Sequence, residues 1–250
     1  TEQAVLDYAE TAQASLGELK RAGESRESLS QQITEAEQGV GRWAREIHAA
    51  RTTAAETLQT RVRKVLADLA MGQAEFVVDI ATRTNDAGRL VCGPQGADRV
   101  RFLISTNPGE EPRPLSKIAS GGEISRVMLA IKTVVAAVDD VRSLVFDEID
   151  TGIGGQVALA IAAHMAELAR HSQVIAITHL ATIAVRADNH IVVEKSVHEG
   201  NTRISVRPVV SDDREREIAR MLAGDVEESH SIEHARALLD RYQREADGKD

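Results

Sequence analysis

The spacing of apolar residues changes once along this 250-residue chain, near Met71-Gly72. Before that point, apolar or small residues follow alternating steps of four and three, the heptad spacing of a coiled-coil seam. Beyond it, the spacing is that of short strands and helices. We therefore expect two domains, coiled-coil helices over 1–70 and a mixed α/β domain over 71–250. The seam runs through Leu29, Ile33, Ala36, Val40, Trp43, Ile47, Ala50 and Ala54.

Two helical pieces are predicted within the first domain. Gly23 followed by Ser25 is typical of a helix that ends and of a new helix that is capped. The steps to Leu58 and then to Val62 are both fours, so the supercoil is expected to relax there. An ordinary helical bundle is the alternative, although so narrow an apolar stripe offers little width for a globular core.

The second domain has the pattern of an α/β sheet, in which helix-like and strand-like segments alternate. The short apolar segments 144–146 and 174–177 predict parallel strands that are buried on both faces. The remaining predicted strands lie near 76–80, 100–104, 190–194 and 204–206, and the helices near 123–138, 156–169, 214–222 and 231–242.

Composition narrows the class of protein. Six aromatic residues give little material for stacking nucleic-acid bases. Cys92 is the only cysteine, which excludes an internal disulfide and fits a reducing compartment. No secretion signal or membrane-spanning segment is recognisable, so we expect a cytoplasmic protein with no membrane partner. The net charge is −9, and the densest basic group, Arg61, Arg63 and Lys64, is as well explained by a solvated helix face.

A glycine cluster is the first candidate for chemistry. Ala119-Ser120-Gly121-Gly122-Glu123 stands just before a helical run. The glycines let backbone N–H groups approach a ligand, Ser120 adds a hydroxyl donor, and the helix dipole favours an anion, so a phosphate is the natural ligand. A serine-capped helix after a flexible loop explains the same residues.

Acidic residues follow the apolar strand at 144–146. Neighbouring side chains on an extended strand point to opposite sides, so Asp147 and Glu148 are expected to have different roles. One carboxylate can hold Mg²⁺ while the other orients or deprotonates an attacking water. Asp150 follows in a tight turn. Solvated acids at a sheet edge and ordinary helix capping remain alternatives.

His179 follows a second apolar strand, directly after Thr178. An imidazole at this edge can donate a hydrogen bond to a phosphate oxygen or simply fill space. The order of the clusters is more specific than any one of them: Ser-Gly-Gly-Glu at a helix start, a strand ending in Asp-Glu, a turn with Asp, a helix, and a strand ending in His. This order resembles the C-terminal half of an ABC-type ATPase head, and the preceding coil resembles the SMC-like members of that group.

Three longer segments, 115–132, 146–153 and 178–180, closely resemble the RecN family of bacterial DNA repair ATPases. The resemblance covers roughly 58–224, with Gly154-Gly155 standing where a Ser-Gly pair is expected. It implies an α/β fold, the C-terminal lobe of an ABC/SMC-type P-loop ATPase head, preceded by a coiled-coil return arm.

The resemblance also implies a role for each site residue. Asp147 is the Walker B residue that holds Mg²⁺, and Glu148 is the catalytic glutamate that activates water. His179 is the switch histidine that contacts the γ-phosphate of ATP, and Asp150 belongs to the D-loop near the nucleotide. The signature loop, which binds ATP, consists of Ser120, Gly121, Gly122 and Glu123.

A complete ATP site also needs a Gly-x-x-x-x-Gly-Lys-Ser/Thr loop, and the sequence contains none. The chain begins at Thr1 within helix-like sequence, so we expect it to be part of a longer protein whose N-terminal half supplies that loop. The resemblance implies a homodimer of two heads that sandwich two ATP molecules, each site joining Walker A and B of one head to the signature loop of the other. DNA is a partner by resemblance alone.

The sequence thus predicts the C-terminal half of an SMC-like ATPase in DNA double-strand-break repair and recombination, located at the nucleoid. ATP-dependent head engagement and hydrolysis would be coupled to DNA binding or tethering, and the isolated chain is expected to be inactive. One alternative is a non-enzymatic coiled-coil dimerisation or scaffold module. Another is a metal-dependent phosphoester hydrolase using Asp147, Glu148 and Asp150, which leaves the Ser-Gly-Gly-Glu loop unexplained.

Overall fold

The computed structural model describes residues 1–118, 120–198, 201–224 and 229–246, and it confirms the α/β class. By internal contacts the chain divides into unit 1, residues 1–55 and 79–101, and unit 2, residues 56–78 and 102–250. The elements are α1 (Glu2–Asp68), β1 (Glu75–Thr82), β2 (Asp98–Ser105), β3 (Arg113–Pro114), a 3-10 turn (Leu115–Lys117), α2 (Gly121–Val135), β4 (Ser143–Phe146), α3 (Gly155–Ala169), β5 (Gln173–Ala176), α4 (Ala181–Ala184), β6 (His190–His198), β7 (Asn201–Val209), α5 (Ser211–Ala223) and α6 (Ser229–Ala246).

Helix α1 runs without interruption for 67 residues. The predicted break at Ala22-Gly23-Glu24-Ser25 is therefore wrong. A single glycine in a helix costs only about 1 kcal/mol relative to alanine, and the sequence has no proline before Pro94. Helix-favouring neighbours on both sides outweigh that cost, so the helix continues through Gly23.

The end of α1 is a Schellman motif, which explains why the helix stops just before the predicted boundary at Met71-Gly72. Ala70 adopts a left-handed conformation with φ of 58°. The N–H of Met71 donates to the carbonyl of Leu66 at 2.8 Å, and the N–H of Ala70 donates to that of Ala67 at 3.3 Å. Leu66 and Met71 are both buried, which supplies the hydrophobic contact that usually accompanies this motif.

Unit 1 leaves much of the predicted heptad seam exposed. Trp43 is 62% exposed and Ile33 is 58% exposed. Apolar side chains at this spacing are typical of a helix face that packs against another helix. Leu29, Val40 and Ile47 on the same seam are exposed as well.

A buried carboxylate ties the helical part of unit 1 to its strand part. Asp98, whose side chain is 1% exposed, accepts hydrogen bonds from His48 Nδ1 at 2.9 Å and from Arg51 Nη1 at 3.1 Å. Thr82 donates a third, at 3.3 Å. Burial alone would raise the pKa of Asp98, but these bonds together hold that pKa below its ordinary value of 3.8.

The main core of unit 2 lies among the end of α1, α2, α3 and the strands. Phe76, Leu66, Leu129 and Ile161 are fully buried there. Strands β4 and β5 pair in parallel, in the register Ser143↔Gln173 to Phe146↔Ala176, as the sequence predicted. Apolar strands of this kind pack their core-facing side chains against helices α2 and α3.

Burial of the β4–β5 pair on both faces, which the sequence predicted, is wrong for this chain. The cross-strand neighbours Val145 and Ile175 are 65% and 46% exposed, whereas Phe146 on the other face is buried. An all-apolar strand has apolar side chains on both faces of the sheet, so either face can be buried. The strand sequence does not reveal whether the elements that cover the second face belong to this chain.

The rest of unit 2 is a long hairpin and a second cluster of helices. Strands β6 and β7 pair antiparallel from His190↔Val209 to His198↔Asn201. Helices α4, α5 and α6 enclose a small core around Ile218, Ala235 and Tyr242. Within the described residues, no helix has the length and apolar character needed to cross a bilayer.

Candidate functional site

The predicted helix start at the glycine cluster is confirmed. Ser120 is the N-cap of α2, and its hydroxyl oxygen accepts the N–H of Glu123 at 3.4 Å. The carbonyl of Ser120 accepts the first helical N–H, from Ile124, at 3.1 Å. An accepting hydroxyl still has a hydrogen to donate, so the capping role and a phosphate contact are compatible. Ala119, predicted in the same cluster, lies outside the described residues.

The acidic pair stands at the end of β4, and both residues are exposed. Asp147 Oδ1 accepts the N–H of Glu148 at 2.9 Å, and the backbone carbonyl of Asp147 accepts the Ser125 hydroxyl at 2.8 Å. Glu148 has φ of 56°, a left-handed conformation that a non-glycine residue seldom adopts. Such strain is concentrated at functional sites, where the surrounding structure maintains it.

The glycine cluster and the acidic pair meet in space. A methyl group on Gly121 would collide with Glu148 Oε2, and one on Gly122 would lie 3.0 Å from the Glu148 carbonyl oxygen and 3.4 Å from Thr151 Cβ. At Gly121 the colliding atom is the far end of a flexible side chain, which can move aside, whereas at Gly122 the nearest atom belongs to the backbone. Gly122 is therefore the position that needs glycine if the loop after β4 is to approach the first turn of α2. Arg126 Nη1, one turn further on, donates to the Thr151 carbonyl at 3.4 Å.

The end of β5 joins the same loop through Asp150. This carboxylate is 3% exposed, and its Oδ2 accepts the Thr178 hydroxyl at 2.5 Å and the N–H of His179 at 2.9 Å. His179 Nδ1 lies 3.1 Å from the same oxygen, while the His179 side chain is 72% exposed. Asp150 thus accepts hydrogen bonds from the loop formed by residues 178–180, here called the histidine loop, while the imidazole of His179 is exposed to solvent.

A shallow cleft of about 460 Å³ borders this site, lined by Gln73, Thr106, Pro108, Glu123 and Arg126 among others. Burial lowers the pKa of Arg126, an effect that the nearby Glu123 carboxylate partly offsets.

The donor set agrees with Mg²⁺ bound jointly with a phosphate ligand. Within the described ranges, no cluster of three or more His, Cys, Asp and Glu side chains could hold a metal ion alone. Mg²⁺ normally keeps several waters and takes one or two carboxylates together with phosphate oxygens. The exposed Asp147 carboxylate fits that requirement.

The structure therefore groups the sequence-predicted site residues at one end of α2, β4 and β5. Sequence reasoning assigned no role to the Ser125 hydroxyl, which donates to the Asp147 carbonyl, or to the Thr151 carbonyl, which accepts from Arg126. Contacts of a side chain with the backbone of a distant segment leave no residue pattern in the sequence. The basic group at Arg61, Arg63 and Lys64 is exposed on α1, where Arg63 lies 3.8 Å from Glu75. A solvated helix face accounts for it.

No model of a known protein family matches the chain. Weak structural likenesses exist, such as the Smc head domain with a coiled coil and joint derived from Pyrococcus yayanosii, which is 18% identical with a TM-score of 0.43 over 78% of this chain and 30% of that one. A TM-score of this size does not establish a shared fold, so the family of the chain has to be inferred from sequence similarity.

Sequence comparison gives a much stronger result. The chain is 45% identical over 245 residues to the DNA repair protein RecN of Treponema pallidum, covering 98% of this chain and 43% of that protein. It is 37% identical over 248 residues to RecN of Bacillus subtilis, covering 96% and 43%. RecN of Deinococcus radiodurans is 45% identical over 193 residues, covering 77% and 33%. The chain thus spans less than half the length of these relatives. It is a homologue of the RecN proteins, and its partial coverage of them is consistent with the C-terminal half that the sequence predicted.

Proposed function

We propose that this chain is the C-terminal part of an SMC-like ATPase head that acts in DNA double-strand-break repair and recombination. The observation that carries the proposal is the position of three loops at one end of α2, β4 and β5: the Ser120 helix start, the Asp147-Glu148 pair and the Thr178-His179 loop. Each lies at a sheet edge or a helix N-terminus, where α/β proteins bind phosphates.

The residues divide the work on a nucleoside triphosphate in the manner of ABC-type heads. Ser120, Gly121 and Gly122 present a hydroxyl and backbone N–H groups at the positive end of α2, which suits the γ-phosphate of an ATP held by a second head. Glu148 orients a water and accepts its proton. His179 contacts the transferred phosphate. ATP and Mg²⁺ supply the reacting phosphoryl group and the charge that offsets its oxygens, with Asp147 as the protein ligand of the ion.

The second part of the proposal is that the site is shared. The sequence has no loop of the Gly-x-x-x-x-Gly-Lys-Ser/Thr type, and the chain corresponds to 43% of the length of RecN from Treponema pallidum. The exposed apolar face around Val145 and Ile175 is suited to packing against further protein. These observations support an N-terminal half that completes each head and two heads that pair across ATP.

DNA as partner follows from the relatives rather than from charge. The proteins similar to this chain carry the name DNA repair protein. The chain itself is acidic, with a net charge of −9, so DNA contacts would need local patches or other parts of the whole protein. This role places the protein in the cytoplasm, at the nucleoid.

ATP hydrolysis tests the proposal. The rate is measured for this chain alone and for the chain rejoined to the upstream part of its reading frame, here called the rejoined protein, each with and without DNA. We expect hydrolysis only in the rejoined protein. Equal hydrolysis by the isolated chain would overturn the shared site, and absence of hydrolysis in the rejoined protein would overturn the ATPase assignment.

The exposed seam on α1 favours the alternative, a coiled-coil dimerisation or scaffold module. Leu29, Ile33, Val40 and Trp43 present an apolar stripe that a second helix would cover. Under this alternative, the chain associates through α1, and variants at Glu148 do not change that association.

A third candidate is the metal-dependent phosphoester hydrolase. Cleavage of DNA with metal but without ATP would support it.

A further inference from the structure

We propose that Asp150 is a positioning residue for His179, which holds the imidazole in one place and in the tautomer whose hydrogen is on Nδ1. Nε2 is then the ring atom that meets the ligand. The ligand, a phosphate group of ATP, rests on the proposed function, whereas the tautomer follows from this chain alone. The inference gives Asp150 a role through His179 in place of the direct cofactor contact that the sequence suggested.

The backbone of the histidine loop is bound to Asp150 at successive residues. One oxygen, Oδ2, accepts the Thr178 hydroxyl and the N–H of His179. The Thr178 hydroxyl oxygen in turn accepts the N–H of Leu180 at 3.0 Å. A buried carboxylate is costly unless it is hydrogen-bonded, and these donors satisfy it. The loop between β5 and α4 therefore cannot shift without leaving that charge unpaired.

The ring is oriented by the same oxygen. His179 Nδ1 lies 3.1 Å from Asp150 Oδ2. An Nδ1 without a hydrogen would place the partial negative charge of that nitrogen 3.1 Å from a carboxylate oxygen, which is repulsive, whereas a hydrogen on Nδ1 is attracted to that oxygen. Nδ1 therefore carries the hydrogen, and in the neutral ring Nε2 is the acceptor. A carboxylate that fixes the tautomer of a histidine is a recurrent device in active sites.

This arrangement defines what His179 can offer a ligand. In the neutral ring, Nε2 accepts a hydrogen bond from water or a hydroxyl. In the protonated ring, Nε2–H donates to a phosphate oxygen, and the Asp150 carboxylate offsets the positive charge behind it. In either state the ligand meets Nε2, because Nδ1 is turned towards Asp150.

The tautomer is measured by ¹⁵N NMR of histidine-labelled chain, at a pH where the ring is neutral, with the His179 signals assigned by their loss in His179→Gln. We expect protonated Nδ1 and unprotonated Nε2. In Asp150→Ala the ring loses its partner, and we expect the hydrogen to move to Nε2, the form that a free histidine side chain prefers. Thr178→Val is the matched control, since it removes a donor to the same oxygen without touching the ring, and its tautomer should be unchanged.

An Nε2–H tautomer in the wild-type chain overturns the proposal, even if Asp150→Ala fails to fold. An unchanged tautomer in a folded Asp150→Ala overturns it as well. These outcomes do not depend on hydrolysis, so they are distinct from failure of the ATPase assignment.

Kinetics of the rejoined protein give a second test. Asp150→Ala should lower kcat by about 10- to 100-fold, the usual cost of losing a partner that orients a functional histidine, with little change in KM. If Asp150 acts through His179, the double variant with His179→Ala should be no slower than His179→Ala alone. Losses that multiply in the double variant would show that Asp150 does not act through the histidine.

Discussion

Gly122, in the first turn of α2, lies against the backbone of Glu148, so that a methyl group on it would stand 3.0 Å from the Glu148 carbonyl oxygen. The two residues are 26 positions apart in the chain, and Glu148 lies in the loop just after β4, which ends at Phe146. Because Glu148 has a positive φ, its backbone has little freedom to retreat from an added atom.

The stability of two alanine variants tests this contact. Gly122→Ala should destabilise the chain by about 1–3 kcal/mol, since the new methyl group presses on backbone. Gly121→Ala is the matched control, because its methyl group meets only the mobile end of the Glu148 side chain, and we expect less than about 1 kcal/mol. Urea unfolding of both variants measures the difference. Equal destabilisation would contradict the packing described at Gly122.

Glu148→Gln tests the general base. In the rejoined protein, this change keeps the shape of the side chain but removes the group that takes a proton from water. We expect turnover to fall by about 100-fold or more, while ATP-driven pairing of heads, followed by sedimentation, persists. Glu110→Gln, in an exposed loop outside the site, should hydrolyse ATP normally. Unchanged hydrolysis in Glu148→Gln would remove Glu148 from the mechanism.

Ser120→Arg tests the contact of the α2 start with the ATP of a second head. A long cationic side chain at the N-cap should block ATP-dependent pairing by occupying the phosphate position and by opposing the positive helix end. Ser120→Ala leaves the space and the backbone N–H groups in place, so it should still pair, more weakly than wild type because the hydroxyl contact is lost, and at a cost of about 1 kcal/mol in stability from the lost cap. Normal pairing of the arginine variant in sedimentation would refute the two-head arrangement.

The end of α1 offers a stabilising change. Ala70 has a left-handed backbone, which costs an L-residue with a side chain about 1–2 kcal/mol. Ala70→Gly should therefore raise the free energy of unfolding by about 1 kcal/mol. Ala67→Gly, three residues earlier within the helix, should lower it by about 0.5–1 kcal/mol. Thermal melts give both values, and the same sign for the two variants would exclude the Schellman motif.

The lowered pKa of Asp98 predicts that the stability of unit 1 decreases at acidic pH. The pKa of Asp98 is lower in the folded chain than its ordinary value of 3.8, so the unfolded chain binds that proton more readily. The associated stability is fully present above pH 4 or so and is lost as the pH falls through the folded pKa. Asp98→Asn should weaken this dependence, as measured by urea midpoints between about pH 5 and pH 2.5. The exposed Asp86→Asn is the control. Parallel curves for Asp98→Asn and wild type would contradict the assigned pKa.

The order and type of most elements could be predicted from the sequence because they depend on local periodicity. The four-three spacing from Leu29 to Ala54 predicts a helix, and the apolar run Leu144-Val145-Phe146 predicts a strand; the structure confirms both elements. The clusters at Ser120, Asp147 and His179 could be found because a loop that binds phosphate needs particular residue types at particular element ends. None of these inferences requires knowing which residues touch.

Contacts between distant segments were decided by the tertiary structure alone. The approach of Glu148 to Gly121 and Gly122 depends on how β4 packs beside α2, and the burial of Asp150 depends on β5. Helix α1 continues through Gly23 because the helix-favouring residues around it together outweigh the cost of the glycine. The exposure of Val145 likewise depends on which other segments cover its face of the sheet. Sequence by itself determined what each segment is and which groups it carries. Only packing decided that Asp150 is turned inward to His179, because a carboxylate looks the same in the sequence whether it faces water or an imidazole.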